Sequence, residues 1–94
     1  MKIALTPETH DTLKAFLSQC EDCEQLTETE YVLDLYDHTP PMSLDLVLKK
    51  NALFIDGAAE LLFDEEMDGW YVGKRIEDIE TIAAALKEAG AMPA

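Results

Sequence analysis

Residues 30–63 read EYVLDLYDHTPPMSLDLVLKKNALFIDGAAELLF, and their period-two hydrophobicity decides the fold. Tyr31, Leu33 and Leu35 alternate with Val32, Asp34 and Tyr36. Leu44, Leu46 and Leu48 alternate with Asp45, Val47 and Lys49, and Leu53 and Ile55 follow across a Lys50-Asn51 turn. Alternation of this kind is the pattern of an antiparallel sheet with one buried face. The other face then carries Asp34, Asp45 and Glu30.

Outward from this stretch the chain turns helical at both ends. Thr6-Pro7-Glu8 places a hydroxyl at an N-cap, proline at the first helical position and an acid in the first turn. His10, Leu13, Phe16, Leu17 and Cys20 then form one apolar stripe, and the helix ends between Gln19 and Cys23. Near the C-terminus Ile76, Ile79, Ile82, Ala83 and Leu86 keep helical spacing. Glu77, Asp78 and Glu80 open that helix, Lys87 lies in its last turn, and Gly90 suits the C-cap. Residues 91–94 are read as a frayed tail.

Between the elements, Met1–Leu5 reads as a short edge strand, and Glu21–Thr29 as an acidic connection anchored only by Leu26. Asp37-His38-Thr39-Pro40-Pro41 breaks the first clear strand, because two prolines cannot donate to a ladder. Strands over about 43–49 and 52–56 form a hairpin. Gly57 marks a turn or bulge, 59–63 a further strand, 64–69 a solvated loop, and Trp70–Val72 a final strand. The expected fold is α+β: an antiparallel meander of about four to five strands, with the N-terminal and C-terminal helices packed on one face. Ninety-four residues suit one small acidic domain.

The charge is the outlier. Twenty Asp and Glu against seven Lys and Arg give a net charge of −13 and a pI near 4.2. Such a chain repels phosphate backbones and anionic membranes, so the expected partner is a basic protein, with no direct nucleic acid and no membrane. No apolar run has the length of a signal or a membrane span, and two cysteines make no disulfide scaffold, so the expected location is cytoplasmic. No cofactor is implied.

Three motifs invite chemistry. Cys20-x-x-Cys23 follows a helix and lies among Glu21, Asp22 and Glu24, which oppose thiolate formation; Cys20 is read as a buried small hydrophobe and Cys23 as incidental. Asp64-x-Glu66-x-Asp68-Gly69 begins like a calcium loop, but its twelfth position is Arg75, so an acidic loop is the preferred reading. His10 and His38 stand in no recognisable nucleophile context, and the chain is read as no enzyme. In Trp70-Tyr71 an interface hot spot competes with the blander reading, which is favoured, that one ring fills the core beneath a helix.

The acids are also segregated. No Lys or Arg occurs between Lys14 and Lys49, where Glu21, Asp22, Glu24, Glu28, Glu30, Asp34, Asp37 and Asp45 lie. None occurs between Asn51 and Gly73, where Asp56, Glu60, Asp64, Glu65, Glu66 and Asp68 lie. Carboxylates two residues apart on a strand stand about 6 to 7 Å from each other, comparable with successive phosphates of a nucleic acid. The candidate partner-binding residues are Glu28, Glu30, Asp34 and Asp37 with Asp64, Glu65, Glu66 and Asp68. In size, acidity and lack of catalytic motifs the chain resembles the small phage-encoded inhibitors, anti-CRISPR proteins and other DNA mimics among them. The likeness is one of character; no motif aligns and no residue is carried over. It implies an inhibitor occupying the DNA or RNA site of a basic nucleic-acid-binding protein. Alternatives are an immunity protein neutralising a basic nuclease toxin, or an adaptor acting as a homodimer rather than a monomer.

Overall fold

The computed structural model describes residues 1–93. Six strands and two helices follow in the order β1 (Lys2–Ala4), α1 (Pro7–Gln19), β2 (Cys23–Gln25), β3 (Glu30–Leu35), β4 (Met42–Leu48), β5 (Ala52–Asp64), β6 (Gly69–Arg75) and α2 (Ile79–Glu88). The fold is α+β with a wholly antiparallel sheet, as the alternation predicts, but the sheet has six strands rather than four to five.

The sheet is arranged around β5. Its thirteen residues, extended over about 40 Å, set the 45 Å long axis of the molecule. One edge of β5 pairs with β4, which leads on to β3 and β2; the other pairs with β1 through Ala52–Phe54 and with β6 through Ala59–Asp64. Gly57 lies within β5 at a bulge instead of ending a strand: Asp45 opposes Gly57 while Leu46 opposes Ile55, leaving Asp56 unpaired. The extra residue lets Ile55 and Ala58, three apart, both face the core.

That core is one cluster. Tyr31, Leu33 and Leu35 of β3, Met42, Leu44, Leu46 and Leu48 of β4, and Leu53, Ile55 and Ala58 of β5 meet Leu13 and Leu17 of α1 and Ile82, Ala85 and Leu86 of α2. A fully buried leucine contributes about 1.5 to 3 kcal/mol by leaving water. These rows of leucine therefore supply most of the drive to fold.

Both helices carry the caps that their end residues promise. Thr6 accepts from the Thr9 N–H at 3.2 Å, and the Thr6 N–H donates to Thr9 Oγ1 at 2.7 Å, a reciprocal box. Asp78 caps α2 by accepting from the Glu80 N–H and the Thr81 hydroxyl, each at 3.0 Å. Gly90 takes a left-handed φ of 86° while its N–H reaches Lys87 O and that of Ala91 reaches Leu86 O, the paired closure of a Schellman turn.

Several expectations are corrected. Glu21–Thr29 contains β2, whose three residues are mostly polar and pair with β3; Cys23, opposite Leu33, packs against the core, while Gln25 on the same face stays exposed. Residues 91–93 are no frayed tail, because the Schellman turn carries Ala91 into full burial and Met92 against the core; Ala94 lies outside the described residues. The final strand runs beyond Val72 to Arg75, and α2 starts at Ile79 instead of near Ile76. No helix among the described residues is long and apolar enough to cross a membrane.

Candidate protein-binding surface

In an antiparallel sheet, residues directly opposed share a face, and so do residues two apart. The register therefore maps the face turned away from the core. One row holds Glu30, Val47, Phe54 and Lys2. The next holds Glu24, Val32, Asp45 and Gly57, and a third holds Asp34, Ser43, Ala59 and Arg75. Glu24, Glu30 and Asp45 are exposed, Asp34 is half-buried, and the Asp34 N–H donates to Asp22 O, which brings Asp22 alongside. One half of the open face is thus acidic, and Lys2 and Arg75 sit at its far edge.

These acids have no cationic partners. Among the described residues no Lys or Arg nitrogen lies within 4.0 Å of a carboxylate oxygen. The carboxylate contacts among the described residues involve histidine: His10 with Asp11 at 3.1 Å, and His38 Nε2 with Glu88 at 2.9 Å. His38 Nδ1 also faces the Pro40 carbonyl at 3.0 Å. The two contacts of this ring tie the 36–41 loop to α2.

Beyond the third row the face turns aromatic. Trp70 lies 5.3 Å from Phe63, its cross-strand partner, and 5.0 Å from Tyr36, measured between ring centroids. Leu61, on the same face and opposite Val72, is only 6% exposed yet stands apart from the main core. These residues make a second, smaller apolar cluster. The distal part of the β5–β6 hairpin remains open to solvent on both faces: Phe63, Trp70 and Val72 on one, Leu62 and Tyr71 on the other, with Met67 at the tip 81% exposed. The expectation that Trp70 or Tyr71 fills the core is overturned. Trp70 turns to the open face with Phe63 and Tyr36, and Tyr71, on the opposite face, stays exposed.

Of the residues singled out in the sequence, Glu30 and Asp34 share the open face. Asp37 lies just past it in a groove of about 410 Å³ with Asp22, Asp34, His38 and Glu88. Glu28 falls elsewhere, in the β2–β3 turn, lining a hollow with His10 and Lys14 of α1. Asp64, Glu65, Glu66 and Asp68 form the tip of the β5–β6 hairpin. There Asp64 Oδ1 accepts from the Glu66 and Met67 N–H groups and Asp68 takes a φ of 51° to close the turn. The acids therefore form two groups, the sheet face and the tip, separated along β5 by the five residue steps from Ala59 to Asp64, about 17 Å. Glu24, Asp45 and Asp22 belong with the first group. Glu24 and Asp22 were hidden because β2 has no apolar alternation, whereas the alternation of β4 does assign Asp45 to this face.

Chemistry at the cysteines and tyrosine follows the same acidity. Cys23 is a half-buried free thiol, and burial, then neighbouring Cys20 and Asp34, push its pKa up to about 11. Tyr36 donates to Asp34 Oδ2 at 3.4 Å; burial, then the charge and hydrogen bond of Asp34 and the charge of Asp22, raise its pKa above the ordinary tyrosine value. Among the described residues no three or more His, Cys, Asp or Glu side chains gather as a metal site. Compared with protein families, with curated proteins and with solved structures, the chain matches none.

Proposed function

We propose that this chain is a non-enzymatic, acidic binding protein that inhibits a basic nucleic-acid-binding protein or complex by occupying its DNA or RNA site. It would act in the manner of phage DNA mimics of the anti-CRISPR kind. The observation that carries the reading is the open sheet face: Glu24, Glu30, Asp34 and Asp45 stand on one surface, with no Lys or Arg among the described residues within 4.0 Å of any carboxylate. Acids left without internal partners repel one another and cost stability. A partner groove lined with Lys and Arg removes that repulsion on binding, speeds the encounter and disfavours neutral competitors.

The aromatic cluster complements the charge. Charged contacts at a rim contribute mostly to rate and selectivity, whereas affinity concentrates in a few aromatic anchors, and Trp and Tyr are the residue types enriched there. Trp70 and Tyr36 adjoin the acidic rows on the same face, so one partner can meet both. Thiol chemistry is disfavoured by the raised pKa of Cys23, which keeps it protonated at neutral pH.

The test is capture of partners by the tagged protein from lysate of its natural host, or from cells expressing a CRISPR effector complex. Elution uses a salt gradient and competition by duplex DNA. A nucleic-acid-binding complex released by moderate salt and displaced by DNA supports the reading. Partners indifferent to both overturn it.

A further inference from the structure

Strand β6 has a neighbour on one side only. Among the described residues it pairs with β5, and its other edge, seven residues from Gly69 to Arg75, is unpaired. Long, apolar, exposed edges are templates for pairing with another strand, and this one carries Trp70, Tyr71 and Val72, the last two 51% and 66% exposed. Its charge is polarised. The acidic tip Asp64, Glu65, Glu66 and Asp68 precedes it, and Lys74 and Arg75 end it, both exposed and with no carboxylate within 4.0 Å.

That polarity is self-complementary when the strand meets its own copy in the antiparallel sense. Placing a two-fold axis at Tyr71 sets Trp70 against Val72 of the second copy and Gly69 against Gly73; because Gly73 and Lys74 share one position at the β6 bulge, the next pair sets Asp68 against Arg75. Aromatic and β-branched residues opposed across strands are favourable pairs, as are opposite charges. The free edges of β1 and β2 fail the same comparison, each being three residues long, and Lys2-Ile3-Ala4 of β1 carries no acid to oppose its lysine. Strand β2 is flanked by Glu21 and Asp22 and contains Glu24, so a second copy there would set acid against acid.

We infer that the chain forms a two-fold homodimer through antiparallel pairing of β6 with β6 of a second copy. An axis normal to the sheet keeps the two open faces on the same side. The dimer then presents two acidic faces with two Tyr36–Phe63–Trp70 clusters between them. The interface stands on the edge geometry and on Lys74 and Arg75, and does not depend on the proposed inhibitor role.

The experiment is sedimentation equilibrium of the full chain over a concentration series at low salt. Four proteins are compared: the native chain, K74E/R75E, E66K/D68K, and the combination of all four substitutions, each checked for folding by circular dichroism. The expected result is a native dimer, weakened about tenfold or more by either reversal alone and restored to within about threefold by the combination. Amide exchange at Trp70 and Val72, whose N–H groups point away from β5, should slow as concentration rises. A monomer at every concentration up to about 1 mM overturns the inference and leaves the edge to a strand from another protein. A dimer unaffected by K74E/R75E, or protection that rises at β2 instead of β6, overturns it equally.

Discussion

Trp70 and Tyr36 meet at a centroid separation of 5.0 Å with ring planes tilted by 55°, although one belongs to β6 and the other follows β3. Between them lies the segment just before β4, where the Pro41 carbonyl accepts from the Leu61 N–H at 2.8 Å. The rings thus meet across the end of the sheet, on the face where Leu61 is buried. This contact ties the outer half of the β5–β6 hairpin back to the body of the molecule.

Truncation of Trp70 should therefore loosen the hairpin while sparing the main core. Trp70→Ala removes two aromatic pairs, each contributing about 0.5 to 1.5 kcal/mol beyond simple burial. The expected loss in urea denaturation is about 1 to 3 kcal/mol, with faster amide exchange confined to residues 61–72. Exchange that accelerates equally in β3 and β4 would show that the hairpin is integral to the core and not an appended arm.

Alkaline pH should weaken the fold through Cys23 and Tyr36. Both hold their protons more tightly folded than unfolded, Cys23 up to about 11 from an ordinary 9.0. Below pH 9 the thiol is protonated in both states and costs nothing. As pH rises from about 9 to about 11 the unfolded chain releases the proton and the folded chain does not, so stability falls. Urea midpoints at about pH 8 and about pH 10.5 should differ in that direction, and Cys23→Ala should shrink the difference. At neutral pH, Cys23 should be alkylated about a hundredfold more slowly than an ordinary thiol, in proportion to its smaller thiolate fraction.

Salt should stabilise the isolated protein. With a net charge of −13 and no Lys or Arg paired to a carboxylate among the described residues, added ions screen mainly repulsion. The melting temperature should rise between about 20 and about 500 mM NaCl, by about 4 to 8 °C for each kcal/mol of repulsion relieved. A fall would mean that favourable charge pairs outweigh the excess of acid.

Gly73 is the tightest point of the hairpin. A Cβ there would meet Leu62 Cδ1 at 2.6 Å, so Gly73→Ala must displace the leucine at the bulge where Ala59 opposes Arg75 and Leu61 opposes Val72. Leu62 is exposed and its tip can swing aside, so the expected cost is modest, about 1 kcal/mol. Combined with Leu62→Ala, which opens the space, the second substitution should recover much of it. An additive double mutant would place the strain in the backbone instead.

How far the sequence could be read follows from where burial enforces periodicity. Strands β3 and β4 alternate because Leu33, Leu35, Leu44 and Leu46 are buried, and the assignment of Asp34, Asp45 and Glu30 to the opposite face follows from the pleat. Strand β2 carries no such signal, since backbone pairing with β3 suffices to order Glu24 and Gln25. The β5–β6 hairpin misleads in the other direction: one of Trp70 and Tyr71 reads as core by residue type, yet Trp70 turns to the open face and Tyr71 stays exposed on the other. The acids of the 64–69 loop were separable from those of the strands, but the distance between the two groups was illegible, because it depends on how far β5 runs after its bulge at Gly57.

The sharpest test of the acidic face is charge reversal of Glu30 and Asp34 together. They lie four residues apart on β3, about 13 Å, and neither takes part in the main core. Glu30→Lys with Asp34→Lys should leave the fold intact, or stabilise it slightly by reducing repulsion among Asp22, Glu24 and Asp45. Binding to a basic nucleic-acid-binding partner should fall by about tenfold or more, mostly through a slower association rate, and the dependence of affinity on salt should flatten. Reversal of Glu28, which the structure sets apart beside His10 and Lys14, should change binding far less. Equal losses at Glu28 and at the face would mean that the partner responds to net charge alone. Loss confined to Glu30 and Asp34 would locate recognition on the open sheet, next to the aromatic pair of Tyr36 and Trp70.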